Sequence, residues 1–177
     1  MIYLFLANGF EEIEAITIVD FLRRCDLPVK TVGINGTSIT GSHGITVTAD
    51  CDESLEPKDL EAIILPGGIP GTINLENSET VQKFIKYAYE NNKYICAICA
   101  APSILGKMGM LNNKTAACYP GYEKNLINAI ISNKPVVTDG KIITARAAGH
   151  TLSFVCEIAA ALAGRERADI EMKKIAL

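Results

Sequence analysis

Short apolar runs that end in glycine, proline or other small residues, each followed by a longer stretch of helical periodicity, constrain this chain most. Residues 1–7 predict a strand, and 12–25 a helix with Ala15, Ile18, Val19, Leu22 and Cys25 on one face. Pro28 to Ile34 predicts a second strand. The Gly- and Thr-rich stretch 35–49, with Gly36, Gly41 and Gly44, predicts a short hairpin. A strand over 62–66 closes on Pro66-Gly67-Gly68, and Ser78 caps a helix that runs to Asn91. The strand 93–98 leads into a helix over 103–109. Strands follow at 114–118, 134–138 and 141–145, the last two joined by an Asp139-Gly140 turn. Helices over 150–163 and 165–174 complete the order. Repeated βα units require crossovers, so the expected fold is a flavodoxin-like three-layer α/β sandwich with a mostly parallel sheet.

The chain has 177 residues, of which 49% are hydrophobic, enough for one domain over 1–177 with its own core. Its net charge of −3 argues against nucleic-acid binding, which calls for a basic face. No apolar run reaches the roughly 18 residues of a membrane span. The apolar start, Met1 to Ala7, lacks a basic leader and soon meets Glu11 and Glu12. It reads as a buried strand, and the expected location is the cytoplasm. The six cysteines do not form a disulfide framework in that reducing setting. Cys96 and Cys99 share a CxxC spacing, but in an extended run their Cα atoms lie ~10 Å apart, beyond disulfide reach. A zinc site would need more ligands than two histidines and this pair provide, so Cys96 reads as a core thiol and no metal is expected.

A parallel sheet places its chemistry beyond the carboxyl ends of its strands. Five unusual segments fall there: Gly9 to Glu14, Pro66-Gly67-Gly68, Cys99, Cys118-Tyr119-Pro120 and Arg146 to His150. The run Tyr94-Ile95-Cys96-Ala97-Ile98-Cys99-Ala100-Ala101-Pro102 has the layout of a nucleophile elbow, a tight strand-to-helix turn that lifts one side chain above the sheet. The helix that follows would favour a Cys99 thiolate through its dipole. The amides of Gly68 and Ala100 are candidate oxyanion donors. Glu14, set among Ile13, Ala15 and Ile16, is expected to be partly desolvated and protonated, able to hydrogen-bond a thiolate or move a proton. Glu11 and Glu12 read as solvated residues at a helix N-terminus.

His43 and His150 fit solvated or capping roles better than those of bases. Cys118 is either packing or a resolving thiol for oxidised Cys99. Arg23 and Arg24 read as a solvated helix face, with one of them able to reach an anion or a partner subunit. Neither GxxxxGK[ST] nor a helix-opening GxGxxG occurs, so P-loop kinase chemistry is excluded and nicotinamide binding has no support.

Gly9-Phe10-Glu11-Glu12-Ile13-Glu14, Leu65-Pro66-Gly67-Gly68, Ala97-Ile98-Cys99-Ala100-Ala101-Pro102 and Thr144-Ala145-Arg146-Ala147-Ala148-Gly149 together resemble the ThiJ/PfpI superfamily. The resemblance is closest to the branch of the human parkinsonism-associated protein and bacterial YajL. It implies a flavodoxin-like homodimer with a reactive Cys99, a protonated Glu14, and the Gly68 and Ala100 amides lining the site. It also implies that Cys99 oxidises readily to a sulfinate held by Glu14, and that no cofactor is used. Two residues depart from the pattern. Tyr119 stands where this branch commonly has a histidine. Ala100 stands where the peptidase-like branch has its histidine, which counts against proteolysis. The implied activity is glyoxalase III-like or deglycase-like chemistry on a small aldehyde or glycated substrate. The alternative is a redox-sensing or chaperone-like stress protein without turnover.

Overall fold

The computed structural model describes residues 1–175. The strands are β1 (Ile2–Leu6), β2 (Val29–Gly33), β3 (Ser38–Thr40), β4 (Thr46–Thr48), β5 (Cys51–Asp52), β6 (Ala62–Leu65), β7 (Tyr94–Ile98), β8 (Thr115–Ala116), β9 (Ile130–Ile131), β10 (Val136–Asp139) and β11 (Ile142–Ala145). The helices are α1 (Glu12–Arg24), α2 (Gly71–Asn77), α3 (Glu79–Glu90), α4 (Pro102–Lys107), α5 (Thr151–Ala163) and α6 (Arg165–Lys174).

Seven strands form the main sheet in the order β10-β11-β7-β6-β1-β2-β5. Every pairing is parallel except that of β10 with β11. Strand alternation divides the core into two layers. Ile2, Leu4 and Leu6 of β1 and Cys96 and Ile98 of β7 pack with Ile18, Leu22, Phe154 and Ile158 of α1 and α5. Phe5, Ile95 and Ala97 turn to the other face and meet Phe84 and Ile85 of α3 and Ile104 and Leu105 of α4. Phe84 meets Phe5 and Tyr3 edge-on, with centroids 5.2 and 5.6 Å away, contacts worth about 0.5–1.5 kcal/mol each beyond area burial. The expected three-layer α/β sandwich is therefore present. Among the described residues no helix is long and apolar enough to cross a membrane.

Several details differ from expectation. Helix α2 follows directly on Pro70, where proline and glycine signal a loop. Helix α4 has six residues, because Gly109 takes a left-handed φ of +74° and the Met110 N–H closes on Leu105 O at 3.0 Å. Strand β8 leaves the main sheet to pair with β9, which the apolar pair Ile130-Ile131 forms unannounced. The β10–β11 loop is Gly140-Lys141, one residue later than expected, since Asp139 still pairs with Ile142. The side chain of Ser78 does cap α3, accepting from the Val81 N–H at 3.3 Å.

Candidate active site

Cys99 directly follows β7, which lies between β6 and β11 inside the sheet. Its φ of +65° is a strained conformation for a residue with a Cβ, costing about 1–3 kcal/mol. Neighbours on both sides hold it. The Cys99 N–H donates to Ala145 O at 3.0 Å, continuing the ladder to β11, and the Tyr119 N–H donates to Cys99 O at 2.7 Å. This is the elbow geometry expected from the sequence: the side chain leaves the sheet at the turn instead of alternating into the core. The thiol is only partly buried, whereas Cys96 is fully enclosed.

Glu14 lies in the first turn of α1 and has no solvent exposure. Its Oε2 accepts the Gly67 N–H at 2.7 Å, and its Oε1 has no partner. The peptide at Gly67 is gripped from both sides, because Gly67 O accepts the Glu11 N–H at 3.0 Å. A Cβ at Gly67 would lie 2.6 Å from Cys99 Cβ, 2.8 Å from Glu14 Oε2 and 3.2 Å from Cys99 Sγ. The glycine thus leaves room for carboxyl and sulfur to face each other. At Gly68 φ is +91°, and a Cβ would lie 2.4 Å from the Glu11 N and from Gly9 O.

Burial pushes the Glu14 pKa up to about 7, against the opposing pull of the Gly67 amide and of the hydrogen-bonding Cys99, with the Glu11 charge adding to the rise. Burial also pushes Cys99 up to about 12, and the charge and hydrogen bond of an ionised Glu14 add to it. The amides of Ala100 and Gly68 act in the opposite direction by donating toward the sulfur. The expectation that a helix dipole ionises the thiol is corrected here: α4 is short, and burial opposes the anion. Relief comes from the two amides and from protonation of Glu14. That protonation removes the carboxylate charge and turns its O–H into a donor. Near neutral pH the two groups form one coupled acid, as expected of a buried pair.

The remaining residues divide clearly. Glu12, expected in solvent, is buried. It accepts the His43 N–H at 2.7 Å, the Ile45 N–H at 3.4 Å, the Ser42 hydroxyl at 3.2 Å and His43 Nδ1 at 3.0 Å. Burial alone would raise its pKa, but these bonds outweigh it and hold the carboxyl at about 2. Glu12 therefore fastens the β3–β4 turn to the start of α1, and Gly41 has no side chain because the Glu12 carboxyl occupies that space. Glu11, Glu12 and His43 offer ligand atoms within 4.8 Å of one another. The lone pairs of Glu12 are already engaged, so the cluster reads as a turn lock. His43 is 68% exposed along its side chain and is tied to this lock. His150 is half-buried ahead of α5 and does not cap it by its side chain. Arg23 pairs with Asp50 and Arg24 with Asp20, both at 2.7 Å. Cys118 is a buried free thiol, pushed up to about 11 by burial and then by the Glu123 charge. Tyr119 is half exposed, and its backbone fixes the elbow.

A DJ-1/PfpI family profile matches residues 1–161. Protein dj-1beta of Drosophila melanogaster is 34% identical over 166 residues, spanning 92% of this chain and 89% of its own length. A protein of Pyrococcus abyssi named as a deglycase is 30% identical over 155 residues, spanning 85% of this chain and 92% of its own. The crystal structure of a DJ-1 superfamily protein from Salmonella typhimurium superposes with a TM-score of 0.94 at 31% identity, covering 98% of this chain and 96% of that one. Together with the β7 elbow and the parallel sheet, these matches place the chain in the DJ-1/PfpI family.

Proposed function

We propose that the protein is a cofactor-free enzyme acting on reactive carbonyls, with Cys99 as nucleophile and Glu14 as proton carrier. One observation carries this reading: a fully buried carboxyl faces a half-buried thiol across a glycine that leaves room for both. The name of the archaeal relative agrees with deglycase-like chemistry. For an α-oxoaldehyde such as methylglyoxal, the Cys99 sulfur adds to the aldehyde carbon as the C=O π bond opens. The pair's single proton passes to the new oxygen, which the Gly68 and Ala100 amides stabilise while it bears charge. The product is a hemithioacetal, and Glu14 is left as carboxylate. Glu14 then takes the proton from the former aldehyde carbon and returns it to the adjacent carbon, while the hydroxyl proton moves to the neighbouring oxygen. One carbon is oxidised and its neighbour reduced, so no external oxidant or hydride is needed. Water cleaves the resulting lactoyl thioester to lactate and restores the thiol.

The test is lactate formation by purified protein freed of small thiols. Cys99→Ser and Glu14→Gln should each lower turnover by at least ~100-fold, the usual scale for removing a general acid–base group. Unchanged rates in both variants would remove the proposal.

The two amides directed at the sulfur also favour a second reading, in which Cys99 oxidation is the signal. A sulfinate there would take the Gly68 and Ala100 N–H groups and the Glu14 O–H. Intact mass after mild peroxide distinguishes it: two added oxygens, absent in Cys99→Ser, with no lactate formed by the reduced protein. The homodimer implied by the resemblance is proposed to use the α1 and hairpin face, where Ile13, Ile16 and Ile45 are 58%, 44% and 57% exposed.

A further inference from the structure

The opposite end of the sheet carries an arrangement that the Cys99 chemistry does not use. Strands β7 and β11 run parallel in register, Ile95 beside Ile142, and each is entered through a lysine. Lys93 precedes β7 and Lys141 precedes β11, with Lys141 O accepting the Ile95 N–H at 2.8 Å. Parallel pairing therefore brings both side chains to one edge. Lys114, just before β8, joins them through Asp139: its Nζ lies 3.4 Å from Asp139 Oδ1, and the other oxygen of that carboxylate accepts the Thr115 N–H at 2.8 Å. The three lysines line one cavity of about 440 Å³, together with Tyr89, Asn92 and Gly140.

The charges in this cavity do not cancel. Asp139 is the single carboxylate that pairs with any of the three lysines among the described residues, and it pairs with Lys114 alone. Lys141 Nζ lies 3.9 Å above the Tyr94 ring, which offers a quadrupole and no counter-charge. Lys93 has no ion-pair partner among the described residues. Lys93 is not needed to neutralise the end of α3 either. Backbone amides of Asn91, Asn92 and Lys93 already donate to Tyr87 O, Tyr89 O and Ala88 O there. Ordinary surface lysines extend into water, whereas these three are half-buried. Like charges held in a concave, partly desolvated space raise the local potential and favour a multivalent anion.

We infer that this cavity binds a small phosphate monoester. The phosphate contacts the Lys93, Lys114 and Lys141 ammoniums as point charges, and the organic part lies along Tyr89. The volume suits a small ligand, since pockets for such molecules run from about 300 to 1,000 Å³. From Lys93 to Cys99 is roughly 20 Å of extended chain, so this site is spatially separate from the candidate active site and independent of its chemistry.

The experiment is a titration of the full chain with glycerol 3-phosphate, followed by amide chemical shifts. Glycerol and inorganic phosphate serve as parallel probes, and sodium chloride as a control at matched ionic strength. The expected result is a saturable shift confined to residues near Lys93, Lys114 and Lys141. Glycerol should have no effect, inorganic phosphate should bind more weakly, and the Lys93→Gln/Lys141→Gln double variant should bind at least tenfold more weakly. Inorganic phosphate binding as tightly as the ester would remove the role given to the organic part. Shifts reproduced by sodium chloride, shifts scattered over the surface, or an unchanged affinity in the double variant would each overturn the site. The map on the unaltered protein decides the matter even if the double variant folds poorly.

Discussion

Glu14 ties the fold to pH in a way that can be measured without any substrate. Its pKa rises from an ordinary 4.5 to about 7 because burial disfavours the charged form. The folded protein therefore keeps this proton where the unfolded chain releases it. A proton held more tightly by the folded state stabilises it at low pH. That stabilisation is fully present below about 4.5 and is lost as pH rises through about 7. The difference corresponds to about 3 kcal/mol. For a chain of 177 residues that is roughly 8 °C in melting temperature. The comparison is Cys99→Ser against Cys99→Ser/Glu14→Gln, which keeps thiol ionisation out of the measurement. The amide oxygen of glutamine can still accept the Gly67 N–H. The serine hydroxyl keeps a donor where the Cys99 thiol stands, so the pull that opposes burial at Glu14 is retained. Urea unfolding of both proteins from pH 4.5 to 8, at one protein concentration, gives a difference in which Glu12, His43 and all other titrating groups cancel. The single variant should lose about 3 kcal/mol relative to the double variant across that interval. A difference that stays flat to within about 1 kcal/mol would mean Glu14 ionises as it does in water, and the proton-carrier role would fall with it.

Gly67→Ala forces a methyl to within 2.6 Å of Cys99 Cβ and should cost about 1–3 kcal/mol while slowing Cys99 alkylation; wild-type labelling kinetics in a folded variant would contradict the packing described. Glu12→Gln leaves the His43 and Ile45 amides with a weaker acceptor and should cost about 1–3 kcal/mol at pH 7 by urea unfolding. Because Glu12 is held at about 2, wild type should lose this advantage as pH falls from about 4.5 toward 2, whereas the variant has none to lose. Ile16→Asp places a charge on the face proposed for self-association. It should shift the protein to monomer by sedimentation, and an unchanged oligomeric state would exclude that face.

Most of the architecture was legible because apolar period and punctuation agreed along β1, α1, β7 and α5. The elbow was legible for a local reason: Cys99 is followed by small residues, which do not clash in so tight a turn, and by Pro102, which suits a helix start. Glu14 was read from its chain neighbours Ile13, Ala15 and Ile16, yet Ile13 and Ile16 are exposed; what buries it is helical spacing with Ile18 and Phe21 on the inner face of α1. The same reasoning applied to Glu12, three and seven residues before Ala15 and Val19, would have found it buried. Its partner His43, 31 residues away, could not be read, since nothing local specifies how the hairpin folds back. Helix α2 was concealed by Pro70 and Gly71, which signal a turn but also suit a helix start. Strand β9 and the lysine cavity depend on contacts between distant segments. The acidity of Cys99 was misjudged because sequence shows a nearby helix but not its length, nor how deeply the sulfur lies.

The strain at Cys99 has a bearing on how the chain matures. The left-handed backbone at this position is held by the Ala145 carbonyl on one side and the Tyr119 amide on the other, from segments 46 and 20 residues downstream. Until both have been synthesised and docked, position 99 is free to relax, and its sulfur is an ordinary cysteine without an acid beside it. A nascent or truncated chain thus lacks the buried pairing of Glu14 with Cys99 that the folded elbow creates.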